Sequence, residues 1–149
     1  MKQYIGTKMI HARPMTRGAY NEYRGWNIPA NENPEDDGYL VRYPDGYESW
    51  SPKEVFEAAY RLTDGMSFGL AIEAAKQGKK IARAGWNGKS QYVELGRNFR
   101  YNTSDGKEQW TFHEDIDGMA LVFIGTRGTQ VGWLASQSDM LADDWYIVE

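Results

Sequence analysis

Trp133 and Trp145 bracket Ser136, Gln137, Ser138, Asp139, Asp143 and Asp144 within the run 132–145, and that mixture is the chemistry of recognition. Indole faces stack on planar or ring-shaped ligands, while short polar side chains beside them read hydrogen-bonding edges. The run holds no nucleophile paired with a base and no metal-ligand set. The same residues also suit a core indole followed by a capped helix, because Trp is mostly buried wherever it sits. A second grouping, Trp86-Asn87-Gly88-Lys89, sets an indole beside an amide and a cation at the shoulder of what reads as a tight turn. A base stacked on an aromatic ring gains on the order of 1–3 kcal/mol, and a helix start with free amides offers a phosphate or hydroxyl site. Trp86 equally suits a hairpin residue that covers the core.

Groupings that could do catalysis are weaker. Asp36-Asp37 and Asp143-Asp144 are adjacent carboxylates, but sequence neighbours point apart, so neither pair makes an acid–base dyad. His113, in Phe112-His113-Glu114-Asp115, has the ligand types to hold a cation with Asp117, yet an exposed polar loop is the plainer reading. The chain has no cysteine and two histidines, His11 and His113, which removes disulfides, thiolate zinc sites and cysteine nucleophiles. It has no Walker-type glycine loop and no Gly-x-Ser-x-Gly elbow. The expectation is a binding protein with no catalytic residue, no metal and no cofactor.

Composition agrees with a small folded binder. The 149 residues are 41% hydrophobic and 26% charged, ordinary for a globular chain. A net charge of −4 argues against a partner such as long nucleic acid, where basic surface supplies the affinity. Six Trp, ten Tyr and five Phe accompany 16 Gly, a load that favours a packed, β-rich core built from short strands. The N-terminus lacks the apolar core of a signal peptide, and no segment approaches the roughly 18 apolar residues of a membrane span. A cytoplasmic protein is expected, with no membrane partner.

The elements that must position these groups fall on either side of Thr63-Asp64-Gly65. In the first part, residues 4–14 read as a strand and 27–38 as a loop. Residues 38–43 and 47–50 form a hairpin around Pro44-Asp45-Gly46. Ser51-Pro52-Lys53-Glu54 then reads as a capping box with Ser51 as N-cap, opening a helix to Arg61 with Val55, Phe56, Ala59 and Tyr60 inward. In the second part, Ser67 caps a helix carrying Phe68, Ala71, Ile72 and Ala75, which Gly78 ends. Strands follow at 79–84 and 91–95 around an Asn87-Gly88 turn, then at 99–102, 109–112, 120–124, 130–134 and 145–148. Asp105-Gly106 and Arg127-Gly128 mark turns, and a short helix starts after Ser136 or Ser138. The fold class is α+β: a small antiparallel β-sheet domain with short helices at 66–149, preceded by a smaller α+β module at 1–64.

Three blocks, residues 66–74, 78–89 and 133–145, resemble in that order the phage Thoeris anti-defence 2 family. The resemblance covers 66–149. Residues 1–64, through Arg13-Pro14-Met15-Thr16-Arg17-Gly18 and Trp50-Ser51-Pro52-Lys53-Glu54, look like a module fused ahead of such domains in phage and prophage proteins. The resemblance implies a sponge that sequesters glycocyclic ADP-ribose, the cyclic signal of bacterial TIR-domain enzymes, without cleaving it. For some members it implies cyclic di- or trinucleotides as well. It also implies a homotetramer with ligand pockets between protomers. Carried over by motif, Trp86 and Trp133 are the stacking residues, Asn87, Ser136, Gln137 and Asp139 the polar readers, and Arg83 and Lys89 the cations for the pyrophosphate. The sequence departs from the family pattern at 97–118, where the polar stretch 101–109 is longer, and at Gly132, where Pro is common. A carbohydrate-binding or phage structural module with Trp and Tyr platforms is the competing reading.

Overall fold

The computed structural model describes residues 1–112 and 114–149, with the side chains of Thr111 and Asp115 left aside. It divides into two compact units, Met1–Arg61 and Leu62–Glu149. His113 lies outside the described residues, and with it the reading of His113 and Asp117 as cation ligands.

In the first unit, β1 (His11–Pro14), α1 (Arg17–Arg24), β2 (Gly38–Arg42), β3 (Glu48–Pro52) and α2 (Lys53–Ala59) form a three-stranded antiparallel sheet, order β1-β2-β3, with two helices. The long first strand expected at 4–14 contracts to four residues, because β2 offers backbone partners only from His11↔Arg42 to Pro14↔Tyr39. Helix α1, absent from the sequence reading, starts at Thr16, whose side chain accepts the Ala19 N–H, and stops at Gly25 in the left-handed region at φ 68°. Arg17 and the buried Asn21 on α1 both donate to Glu32. The capping box at Ser51 does not form: Ser51 is a strand residue paired with Tyr39, and the helix begins at Lys53 without a side-chain cap. Val55 and Ala59 are exposed, and Phe56 carries the packing, stacked on Tyr39 at 4.1 Å.

In the second unit, Ser67 accepts the Leu70 N–H at 3.5 Å and caps α3 (Phe68–Lys76). Ala71, Ala74 and Ala75 are its buried face. Their small size brings the helix close to Ile81, Val93 and Trp145, each 0% exposed, and these with Met66 make the core. The sheet comprises β4 (Lys80–Arg83), β5 (Tyr92–Arg97), β8 (Met119–Gly125), β9 (Gly128–Val131) and β10 (Trp145–Val148), all antiparallel, in the order β10-β4-β5-β8-β9. Between β5 and β8, the strands β6 (Phe99–Asn102) and β7 (Glu108–Thr111) form a separate two-stranded ribbon. The four-residue α4 (Gln137–Met140) begins after Ser136.

Two details of this sheet matter for the site. Asn87-Gly88 is not a two-residue hairpin turn: β4 and β5 share the single pair Ile81↔Val93, and residues 84–91 form a loop whose left-handed residue is Ser90, φ 58°. The last strand leaves β9 and returns to the opposite edge beside β4, with Trp145 opposite Arg83. That crossover brings 132–144 against 84–91.

Candidate functional site

Trp145 is the pillar of the site. It is fully buried, its indole N–H donates to the Asp139 carbonyl at 2.9 Å, and its ring meets Trp86 edge-on at 5.4 Å and Trp133 at 6.3 Å. Phe123, on β8 opposite Val93, completes an aromatic box. It stacks with Trp133 at 6.3 Å and 19°, and meets Trp86 edge-on at 5.4 Å. These are the offset and edge-to-face arrangements that aromatic quadrupoles favour, so each ring holds the others in orientation.

A polar frame holds the box from the side. The Asp139 carboxylate accepts four hydrogen bonds: Arg83 Nη1 at 2.9 Å and Trp86 Nε1 at 3.0 Å on Oδ1, with the Ser136 N–H at 3.1 Å and Ser136 Oγ at 2.7 Å on Oδ2. In return Ser136 Oγ accepts the Asp139 N–H, a reciprocal capping box that starts α4. Arg83 also donates to Asp144, from Nε at 2.8 Å, and Asp144 accepts the Gly85 N–H at 2.8 Å. A Cβ at Gly85 would stand 2.9 Å from Asp144 Oδ2, so glycine lets the carboxylate reach the backbone there. Burial alone would raise the Asp139 pKa, but hydrogen bonds from Trp86, Arg83 and Ser136 outweigh it and lower the value to about 2. Asp144 is lowered too, chiefly by the Arg83 hydrogen bond, and Arg83 is raised by both carboxylates.

Beside this frame lies a concave surface of about 310 Å³, lined by the rings of Trp86, Phe123 and Trp133 together with Asn87, Gly88, Gln91 and Asp139. A second hollow of about 400 Å³ shares Gln91 and Phe123 with it and extends along residues 125–130. Of the residues singled out from sequence, Trp86, Asn87, Trp133 and Asp139 come together around the first hollow. Arg83 lies beneath it, its guanidinium engaged by two carboxylates. Ser136 caps α4, Gln137 is the exposed first residue of that helix, and Lys89 is exposed; none of these three lines either hollow. Sequence reasoning missed Gln91 and Phe123. Phe123 had a faint signal, since alternation along 120–124 puts it on one face with Leu121, but only the register against Val93 selects it for the box.

The arrangement suits gripping a flat, polar-edged molecule. The rings offer faces, the carboxamides of Asn87 and Gln91 offer both donors and acceptors, and Asp139 is held ionised as an acceptor. Among the described residues, no cluster of three or more His, Cys, Asp or Glu side chains could hold a metal ion, and no helix is long and apolar enough to cross a membrane.

Residues 66–148 match the family of Thoeris anti-defense 2-like domains. The chain is also similar to Thoeris anti-defense 2 of Bacillus phage SP01, 38% identical over 87 residues that span 56% of this chain and 94% of the phage protein. A family match over more than half of the chain and a relative 38% identical over 94% of its own length lead to one conclusion: the chain belongs to the Thoeris anti-defense 2-like family.

Proposed function

We propose that this phage protein counters Thoeris defence by binding glycocyclic ADP-ribose and withholding it, intact, from the effector that it would activate. The observation that carries the reading is the aromatic box: three rings fixed by one another and by the buried Trp145, with amide edges at the rim. Its one lining carboxylate, Asp139, already accepts four hydrogen bonds and has a pKa near 2. A group so occupied is a poor general acid or base near pH 7, which supports binding without turnover. Trp86 and Trp133 supply the stacking faces, Asn87 reads an edge, and Asp139 accepts from ribose or base. Arg83 acts through Asp139 and Asp144 rather than on the ligand. Ser136 sets the start of α4 and so the position of Asp139.

Affinity supports assembly. Silencing a signal stoichiometrically needs nanomolar binding, about 12 kcal/mol, and the first hollow lies at the low end of the ~300–1,000 Å³ that ligand sites occupy. A second protomer closing the open side would add the missing contacts, and with the homotetramer that the family resemblance implies we take that as the working form in the infected cell's cytoplasm. Residues 66–149 carry the sequestration and residues 1–64 form a separate module. Cyclic di- and trinucleotides are a second ligand class for the same protein.

The deciding experiment incubates the full chain with glycocyclic ADP-ribose, removes free ligand, heats the protein and chromatographs the released material. Recovery of intact ligand in proportion to protein supports sequestration. Recovery of a cleaved product would make the protein an enzyme, and recovery of nothing, with binding of oligosaccharide instead, would make it a glycan-binding module.

A further inference from the structure

Three cations lie near the aromatic box in sequence or space, and the structure separates them. Arg83 directs its guanidinium to Asp139 and Asp144 beneath the box, and Lys89 lines neither hollow. Arg127 is different. It sits at the tip of the β8–β9 hairpin, where Gly125 pairs with Gly128 across Thr126-Arg127, and it lines the second hollow together with Thr126, Thr129 and Gln130.

The two hollows carry opposite charge. Among the described residues, the first is lined by Asp139, which shares Arg83 with Asp144, and by no residue of positive charge; the second is lined by Arg127 and by no carboxylate. They meet over Phe123 and Gln91. A Cβ at Gly125 would stand 2.6 Å from the Phe123 ring, so the ring lies across Gly125 and floors both hollows. A ligand with an uncharged heterocycle and an anionic linker is therefore sorted by electrostatics: the heterocycle goes to the rings, and the anion away from Asp139 and toward Arg127.

We infer that the β8–β9 turn is an anion subsite, with Arg127 as its cation and the Thr126 and Thr129 hydroxyls as its neutral donors, and that it grips the pyrophosphate of the nucleotide whose base lies in the aromatic box. This deepens, and rests on, the sequestration reading. Guanidinium suits the task because its fork of N–H donors matches phosphate oxygens two at a time.

The test uses the isotope-labelled full chain, Arg127→Gln in the same chain, and two probes followed by NMR: inorganic pyrophosphate and glycocyclic ADP-ribose. Pyrophosphate is expected to shift the backbone amides of 126–129 and leave the Trp86 indole signal in place, and Arg127→Gln is expected to abolish that shift. The same substitution is expected to weaken the cyclic nucleotide about tenfold or more, the usual cost of a lost hydrogen bond to a charged group. Pyrophosphate that shifts nothing at 126–129 overturns the subsite. Unchanged cyclic-nucleotide affinity in Arg127→Gln also overturns it and leaves sequestration standing. Pyrophosphate bound at the turn by a chain that takes up no cyclic nucleotide upholds the anion subsite and removes the sequestration reading instead.

Discussion

Replacing Asp139 by Asn removes one charge from the frame and turns one of its two acceptor oxygens into an N–H donor that faces two other donors, and the structure sets how much the charge should matter. The side chains of Arg83 and Asp139 are 16% and 13% exposed, so their pair is only partly screened by water. The carboxylate pKa falls from 3.8 to about 2 on folding, against the opposing effect of burial and because of the Trp86, Arg83 and Ser136 hydrogen bonds. One pKa unit corresponds to 1.36 kcal/mol, so the ionised carboxylate contributes about 2 kcal/mol near pH 7. Because the folded-state pKa is the lower one, this contribution is complete above the unfolded value near 4 and disappears as pH falls through about 2. Asp139→Asn should therefore be at least about 2 kcal/mol less stable at pH 7, and the gap should narrow by about that amount between pH 4 and pH 2, where only the loss of the acceptor oxygen remains. Urea unfolding read on the Trp145 indole signal measures this in the second unit alone, since that ring is fully buried there and its N–H donates to the Asp139 carbonyl. A gap below about 0.5 kcal/mol at neutral pH, or one that stays constant down to pH 2.5, would refute the reasoning: the carboxylate would then owe nothing to its four donors.

Trp86→Phe keeps an aromatic face but deletes the 3.0 Å donor to Asp139; it should cost about 1 kcal/mol of stability and raise the Asp139 pKa, which carboxyl NMR titration reads directly. Trp86→Ala also removes the stacking face, and calorimetry should find glycocyclic ADP-ribose weaker by a further 1–3 kcal/mol or so. Gly85→Ala drives a methyl group to within 2.9 Å of Asp144 Oδ2; loss of the Gly85–Asp144 hydrogen bond should lower the melting temperature and weaken the same ligand, whereas an unchanged melting curve would show that the 84–91 loop does not depend on that contact. Gly38→Ala sets a Cβ 2.4 Å from the Trp50 ring, an overpacking worth about 1–3 kcal/mol in the first unit. If residues 66–149 carry the binding, calorimetry on this variant should return the parent's affinity even as the first unit melts earlier.

Wherever the deciding interaction is local, this sequence declared its structure. Ser67 caps α3 and Ser136 caps α4 because a hydroxyl beside the first turn needs only its own neighbours to find a free N–H. Gly78, at φ 83°, follows α3 for the same kind of reason, and the strands expected at 120–124 and 145–148 are β8 and β10. The resemblance of the three blocks pointed to 66–149 and to Trp86, Asn87, Trp133 and Asp139, which the structure brings around one hollow. Local signals failed where a distant partner competed. Ser51 has the spacing of an N-cap, but the ladder from Gly38↔Pro52 to Arg42↔Glu48 takes it as a strand residue. Asn87-Gly88 has the composition of a tight turn, but the single β4–β5 pair leaves an open loop around it. Helix α1 ends at Gly25 in a left-handed cap, yet its periodicity was too short to stand out from a polar stretch.

The site itself was decided by tertiary structure. Asp139 is 56 residues from Arg83 and 53 from Trp86, and it meets both only because β10 crosses to the far edge and pairs with β4. Phe123 enters the box through its register against Val93, and Arg83 turns from a free cation into a bridge because two carboxylates arrive beside it with that same crossover. Residue types fix which contacts are chemically available, but strand order and register are settled by burying Trp145, Ile81 and Val93 together, a condition on the whole second unit that no short window of sequence contains.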